Sequence, residues 1–220
     1  MNYGFYHPEF SDIDSLVITI PSFDALCLKK QPLTAQLEDR GEQILVKDIR
    51  LYRDMLLKQN ITCVQSLFTD YKKINEKYED IFTYYFLERR EKISRFDQTR
   101  TLKAVKGQIL NEIKNNFPDP TNKELYNICR LFYFFKSYRE QKDYKNCLCI
   151  DVFKIKAFLS ALKCCEENIV FESARIVKKI EKELEEISIN EIPRDIDLDK
   201  EWISTGVILL IDFRYKNFFN

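Results

Sequence analysis

The stretch Ser11-Asp12-Ile13-Asp14-Ser15-Leu16-Val17-Ile18-Thr19-Ile20 decides how this chain is read. Residues 15–20 are mostly β-branched or apolar and are closed by Pro21, the pattern of a short strand. Alternation along a strand puts positions 12 and 14 on one face and turns Ile13 to the other. Two carboxylates held this way suit magnesium, a hard ion that takes oxygen ligands and often one or two carboxylates beside substrate phosphates. A metal pair there can activate an attacking oxygen and steady departing pyrophosphate. Asp12 and Asp14 are therefore the candidate metal ligands, although surface turns also produce an Asp-x-Asp pair and the motif needs its surroundings to gain meaning.

Moving outward, residues 43–46 form a second apolar strand after the Asp39-Arg40-Gly41 turn. From Val46 the spacing turns helical, with Ile49, Tyr52, Leu56, Val64, Leu67 and Phe68 three or four apart. Asp48 is positioned to cap that helix, and it is also a further candidate ligand. Helices are predicted at about 76–93, 99–115 and 122–140, the last after the Pro118-Asp119-Pro120 break, and two more across 151–189, parted near Asn168. Lysine and glutamate in residues 178–187 recur at i,i+3 and i,i+4, which reads as a solvated face. Residues 203–213 fit a closing strand or a buried helix equally.

Composition limits the function classes. Lysine plus arginine and aspartate plus glutamate both number 35, so blanket affinity for nucleic acid or membrane is not expected, whereas a local basic face is compatible with zero net charge. Seven cysteines include no Cys-x-x-Cys pair, and His7 is the only histidine, so free, mostly buried thiols in a cytoplasmic protein are expected. The apolar run at 206–211 is far short of the ~20 residues that span a bilayer, and no membrane partner is expected.

Arg89, Arg90, Lys92, Arg95, Arg100, Lys103 and Lys106 form a basic run with aromatic neighbours Tyr84, Tyr85, Phe86 and Phe96. Phosphate contacts plus base stacking would make this an RNA-facing helix pair; Glu88, Glu91 and Asp97 dilute it toward an ordinary solvated face. Arg95, Arg100, Lys103 and Lys106 are the candidate partner-binding residues. The aromatic residues at 131–135 read as packing between helices.

Tyr3-Gly4-Phe5, Pro8-Glu9-Phe10, Ser11-Asp12-Ile13-Asp14 and Pro21-Ser22-Phe23-Asp24-Ala25-Leu26-Cys27-Leu28 together resemble bacteriophage-type nucleotidyltransferases of the DNA polymerase beta superfamily. The similarity continues through Val46-Lys47-Asp48-Ile49-Arg50-Leu51-Tyr52, Lys58-Gln59-Asn60 and Leu67-Phe68-Thr69, and more faintly through residues 102–107 and 125–130. The resemblance implies an α+β fold: a small nucleotidyltransferase-like sheet in residues 1–70 and a helical lobe in 71–220.

It also implies parts that are not found in this sequence, either because they were lost or, for the first of them, because the gene start has moved. Relatives carry a triphosphate-binding Gly-Ser turn upstream of the Asn-Tyr-Gly phrase, and this chain opens on that phrase. They carry a third carboxylate on a neighbouring strand, where Ile44-Leu45-Val46 has leucine. They carry a histidine near Tyr126-Asn127, ahead of the arginine that Arg130 matches. Leucine cannot ligate magnesium, and losing a ligand from such a site costs orders of magnitude in rate. The expectation is an inactive phage or mobile-element protein needing no cofactor. It would bind a host protein or protein–RNA complex, for example as an anti-CRISPR inhibitor of a defence effector. An active magnesium-dependent transferase acting on RNA or protein, with Asp12 and Asp14 holding the metal, is the alternative. A nucleotide-sensing or antitoxin-like partner protein is a third.

Overall fold

The computed structural model describes residues 13–39, 41–116, 121–140, 143–148, 169–187 and 200–216. The protein is α+β, with a small sheet near the N-terminus followed by helices. Its residues divide into two compact units, one drawn from Ser11–Asp97 and Arg194–Asn220, the other from Gln98–Pro193. The expected boundary at residue 70 falls inside the first unit, which also takes in the last helix.

The first unit opens with three strands, β1 (Ile13–Thr19), β2 (Thr34–Asp39) and β3 (Glu42–Asp48), in the order β1-β3-β2. β1 runs parallel to β3, and β2 runs antiparallel to it. Strand β2 has no counterpart in the sequence reading, because its only apolar residues are Ala35 and Leu37. The hairpin creates it: Gly41 takes a φ of 80°, and Leu37 and Ala35 then pair with Ile44 and Val46.

Helix α1 (Phe23–Cys27) is capped by Ser22, whose Oγ accepts from the Ala25 amide at 3.3 Å. Helix α2 (Ile49–Leu57) buries Ile49, Tyr52 and Leu56, one face at i, i+3 and i+7. The helical pattern expected to run on from Val46 breaks at Gln59, where φ is 57°, and restarts as α3 (Ile61–Ser66), capped by Asn60. Gln59 is 1% exposed, and its amide donates to the Leu56 and Ile93 carbonyls at 2.9 and 2.8 Å. Gln59→Leu fills the space but strips both bonds from a buried site, so it should cost about 1–3 kcal/mol in denaturant unfolding. An unchanged unfolding midpoint would contradict this bridging role.

The expected helix at 76–93 is instead a series of short pieces. A 3-10 turn at Glu76–Tyr78 leads to α4 (Glu79–Phe82), then a π-helical turn at Thr83–Leu87, then α5 (Arg90–Arg95). The Glu88 amide reaches back five residues to the Thr83 carbonyl at 2.9 Å.

In the second unit, α6 (Gln98–Asn116) buries Leu102, Val105, Ile109 and Ile113. Helix α7 (Asn122–Glu140) begins with a reciprocal cap: the Thr121 amide donates to Glu124 at 2.6 Å and the Glu124 amide to Thr121 Oγ1 at 3.3 Å. Short α8 (Tyr144–Leu148) adds Tyr144 to a ring cluster with Phe134 and Tyr138. Helix α9 (Ile169–Glu186) buries Val177, Ile180 and Leu184 on one stripe. The other helix expected within 151–189 lies outside the described residues.

Helix α10 (Lys200–Lys216) returns to the first unit, which resolves residues 203–213 as helix. Ile203, Gly206, Val207 and Leu210 recur at helical spacing, and all four are buried. In the first turn of α10, the Trp202 ring lies 4.9 Å from that of Tyr85 and carries the Arg89 guanidinium 4.5 Å over it. At the other end, Arg214 donates to the Ile20 carbonyl, and the Tyr215 hydroxyl donates to that of Pro21 at 2.9 Å. No helix among the described residues is long and apolar enough to cross a membrane.

Candidate functional site

Position 14 lies in β1 directly opposite Gln43 of β3, while Leu45 faces Leu16. Alternation assigns positions 14, 16, 43 and 45 to one face of the sheet. Asp12 lies outside the described residues, and of Asp14 only the backbone position is described. Among the described residues no group of three His, Cys, Asp or Glu side chains is placed to hold a metal.

Asp48 pairs with Thr19, an odd number of residues from position 14, so it belongs to the opposite face. Its carboxylate is already engaged. Oδ1 accepts from the Arg50 amide at 2.8 Å and from Arg50 Nε at 3.0 Å, and Oδ2 meets Arg50 Nη2 at 2.6 Å. Burial pushes this carboxyl up, but the hydrogen bonds and charge of Arg50 outweigh burial and hold it below the ordinary aspartate value. A helix cap and a bidentate ion pair use the oxygens a metal would need, which removes Asp48 from the ligand set.

The basic run is distributed over two units. Arg95 ends α5 in the first unit and is half-buried; Arg100, Lys103 and Lys106 lie on α6 in the second. Arg89 lies over Trp202 and Arg90 over Phe68, so both stack on the protein's own rings. Lys106 donates to the Leu184 carbonyl at the end of α9, where a cation also opposes the helix dipole. Arg100 and Lys103 are exposed. The aromatic stretch 131–135 is core: Leu131, Phe132, Phe134 and Phe135 are buried, and Tyr133 is the outward residue.

On α9 Arg175, Lys178, Lys179 and Lys182 are exposed, and so are Glu185 and Glu186, with Lys182 Nζ 3.9 Å from Glu186 Oε1.

Of the cysteines, Cys63, Cys129 and Cys147 are buried free thiols and Cys27 is exposed. Burial pushes the Cys63 thiol up to about 11 and that of Cys129 to about 12, so neither is a nucleophile near neutral pH. Cys149, Cys164 and Cys165 lie outside the described residues.

No protein-family model, no curated protein and no solved structure matches the chain.

Proposed function

We propose that this chain is a nucleotidyltransferase-like protein of phage or mobile-element type that has given up catalysis and acts as a binding module. Its target is a host protein or protein–RNA complex, an anti-CRISPR inhibitor of a defence effector being the concrete form. The reading is supported above all by β3. Where the resemblance calls for a third carboxylate, this strand carries Leu45 on the face of position 14. The nearest acid along β3, Asp48, belongs to the other face and is tied to Arg50. An ion held by two carboxylates alone would be weakly bound and poorly placed to neutralise charge on a transferring phosphate.

Calorimetric titration tests the metal half of this proposal. Magnesium and manganese should bind no more tightly than about millimolar, the range of sparse oxygen sites. Stoichiometric micromolar binding that Asp12→Asn abolishes would overturn it.

A further inference from the structure

Strand β2 is an open edge of the sheet. Every residue of Thr34–Asp39 except Ala35 is exposed, and the strand pairs with β3 without a bulge along its whole length. The Asp48 amide donates to the Leu33 carbonyl at 2.8 Å, which extends that register by one pair. Antiparallel bonding alternates, so Leu33, Ala35, Leu37 and Asp39 are the residues that bond β3. The N–H and C=O groups of Thr34, Gln36 and Glu38 therefore point away from the sheet. Natural edges are guarded by lysine, proline, a bulge or a covering element. Residues 34–39 contain neither lysine nor proline, and Leu37 is 53% exposed.

We infer that β2 pairs with β2 of a second copy of this chain, antiparallel about a two-fold axis at Gln36, joining two three-stranded sheets into one. An axis normal to the sheet keeps each face on its own side, so Gln36 meets Gln36 and Thr34 meets Glu38 twice. This register uses all three outward-facing residues, for about six backbone bonds. A register shifted by two residues sets Glu38 against Pro32, which has no N–H, or runs Thr34 into the hairpin turn. Side chains favour a second copy over a strand of another protein. On one face Lys47 lies beside Thr34 in the ladder, and Thr34 would lie beside Glu38 of the second copy. The lysine and glutamate backbones would stand about 9.5 Å apart, two strand spacings, a gap the two side chains close by leaning over Thr34. Symmetry makes that contact twice. On the other face Val17, Val46 and Ala35 form a row, which Leu37 and Ile44 of the second copy continue. Pairing β2 with itself uses that edge up, so the contact closes as a dimer. The inference goes beyond the proposed function and does not depend on the loss of catalysis.

The test is sedimentation velocity of the full chain from about 1 to 300 µM, the range that a small interface requires. Sedimentation should rise from monomer to dimer with a midpoint on the order of 10 µM. Gln36→Pro removes an outward N–H and leaves the bonds to β3 in place, and it should weaken dimerisation on the order of 100-fold. Glu38→Lys and Lys47→Glu should each weaken it about 10-fold, and the two together should restore it, because the exchange rebuilds both contacts with reversed sign. Circular dichroism checks that each variant is folded, and the charge exchange decides the matter without a proline. Monomer at the highest concentration would overturn the inference and leave the edge to an extended segment of a different protein. A dimer indifferent to a folded Gln36→Pro, or a double exchange no better than either single change, would overturn it as well. Those failures leave the Leu45 argument untouched. Conversely, nucleotidyl transfer by a chain that still dimerises through β2 would sink the proposed function and leave this edge standing.

Discussion

Gly206→Ala is expected to destabilise the first unit by about 1–3 kcal/mol, the usual cost of overpacking, even though alanine is the better helix former. Intrinsic preference alone would favour the substitution by roughly 1 kcal/mol. Packing opposes it. An added Cβ at Gly206 would stand 2.6 Å from Cβ and 2.9 Å from Cγ of Tyr85, atoms close to the backbone of the π-helical turn and unable to swing aside. Helix α10 would have to lift from Tyr85 and Phe86, lowering Tm by roughly 5–15 °C. Gly107→Ala provides the opposite sign: that helical glycine faces open space, so alanine should stabilise by about 0.5–1 kcal/mol. Thermal melts of the two variants decide between the terms. A stabilised Gly206→Ala would mean that α10 does not approach the π-helical turn this closely.

The second large effect is expected at Asp48. Asp48→Ala removes a helix cap and leaves Arg50 without its bidentate partner, for a loss of about 2–4 kcal/mol. Asp48→Asn should lose less, since an amide oxygen still caps α2. The pH dependence follows from a folded-state pKa below the unfolded one. The stabilisation is complete above the unfolded value of about 3.9 and fades as pH falls through the lower folded value. The gap between wild type and Asp48→Asn should therefore be constant near neutrality and close in acid. Magnesium should shift the melts of both proteins equally. A magnesium-dependent rise in Tm confined to the wild type would return Asp48 to the metal site.

Much of the fold was legible in local patterns. The alternation at 15–20 and the Ile49/Tyr52/Leu56 spacing identify β1 and α2, and the apolar stripes of α6 and α7 emerge within a residue of their expected ends. Three features were not legible, each because its cause is distant in sequence. Strand β2 has weak intrinsic preference and exists through pairing with β3. The interrupted helix at 76–95 is shaped against α10, whose Gly206 admits Tyr85 more than a hundred residues away. Gln59, an ordinary polar residue by sequence, is buried with its amide bonded to the Ile93 carbonyl, a partner thirty-four residues away. At the candidate site, the Asp48 cap could be read from residue types, the pairing of Leu45 with Leu16 required the register, and Asp12 lies outside the described residues.

The proposal that catalysis has been given up is tested most directly by incubating the purified chain with magnesium and each labelled nucleoside triphosphate, offering transfer RNA, mixed cell protein and the chain itself as acceptors. With Leu45 where a third ligand is needed, no acceptor should gain label above a blank without protein. Robust labelling that Asp12→Asn abolishes would contradict that reading and make the chain a working nucleotidyltransferase.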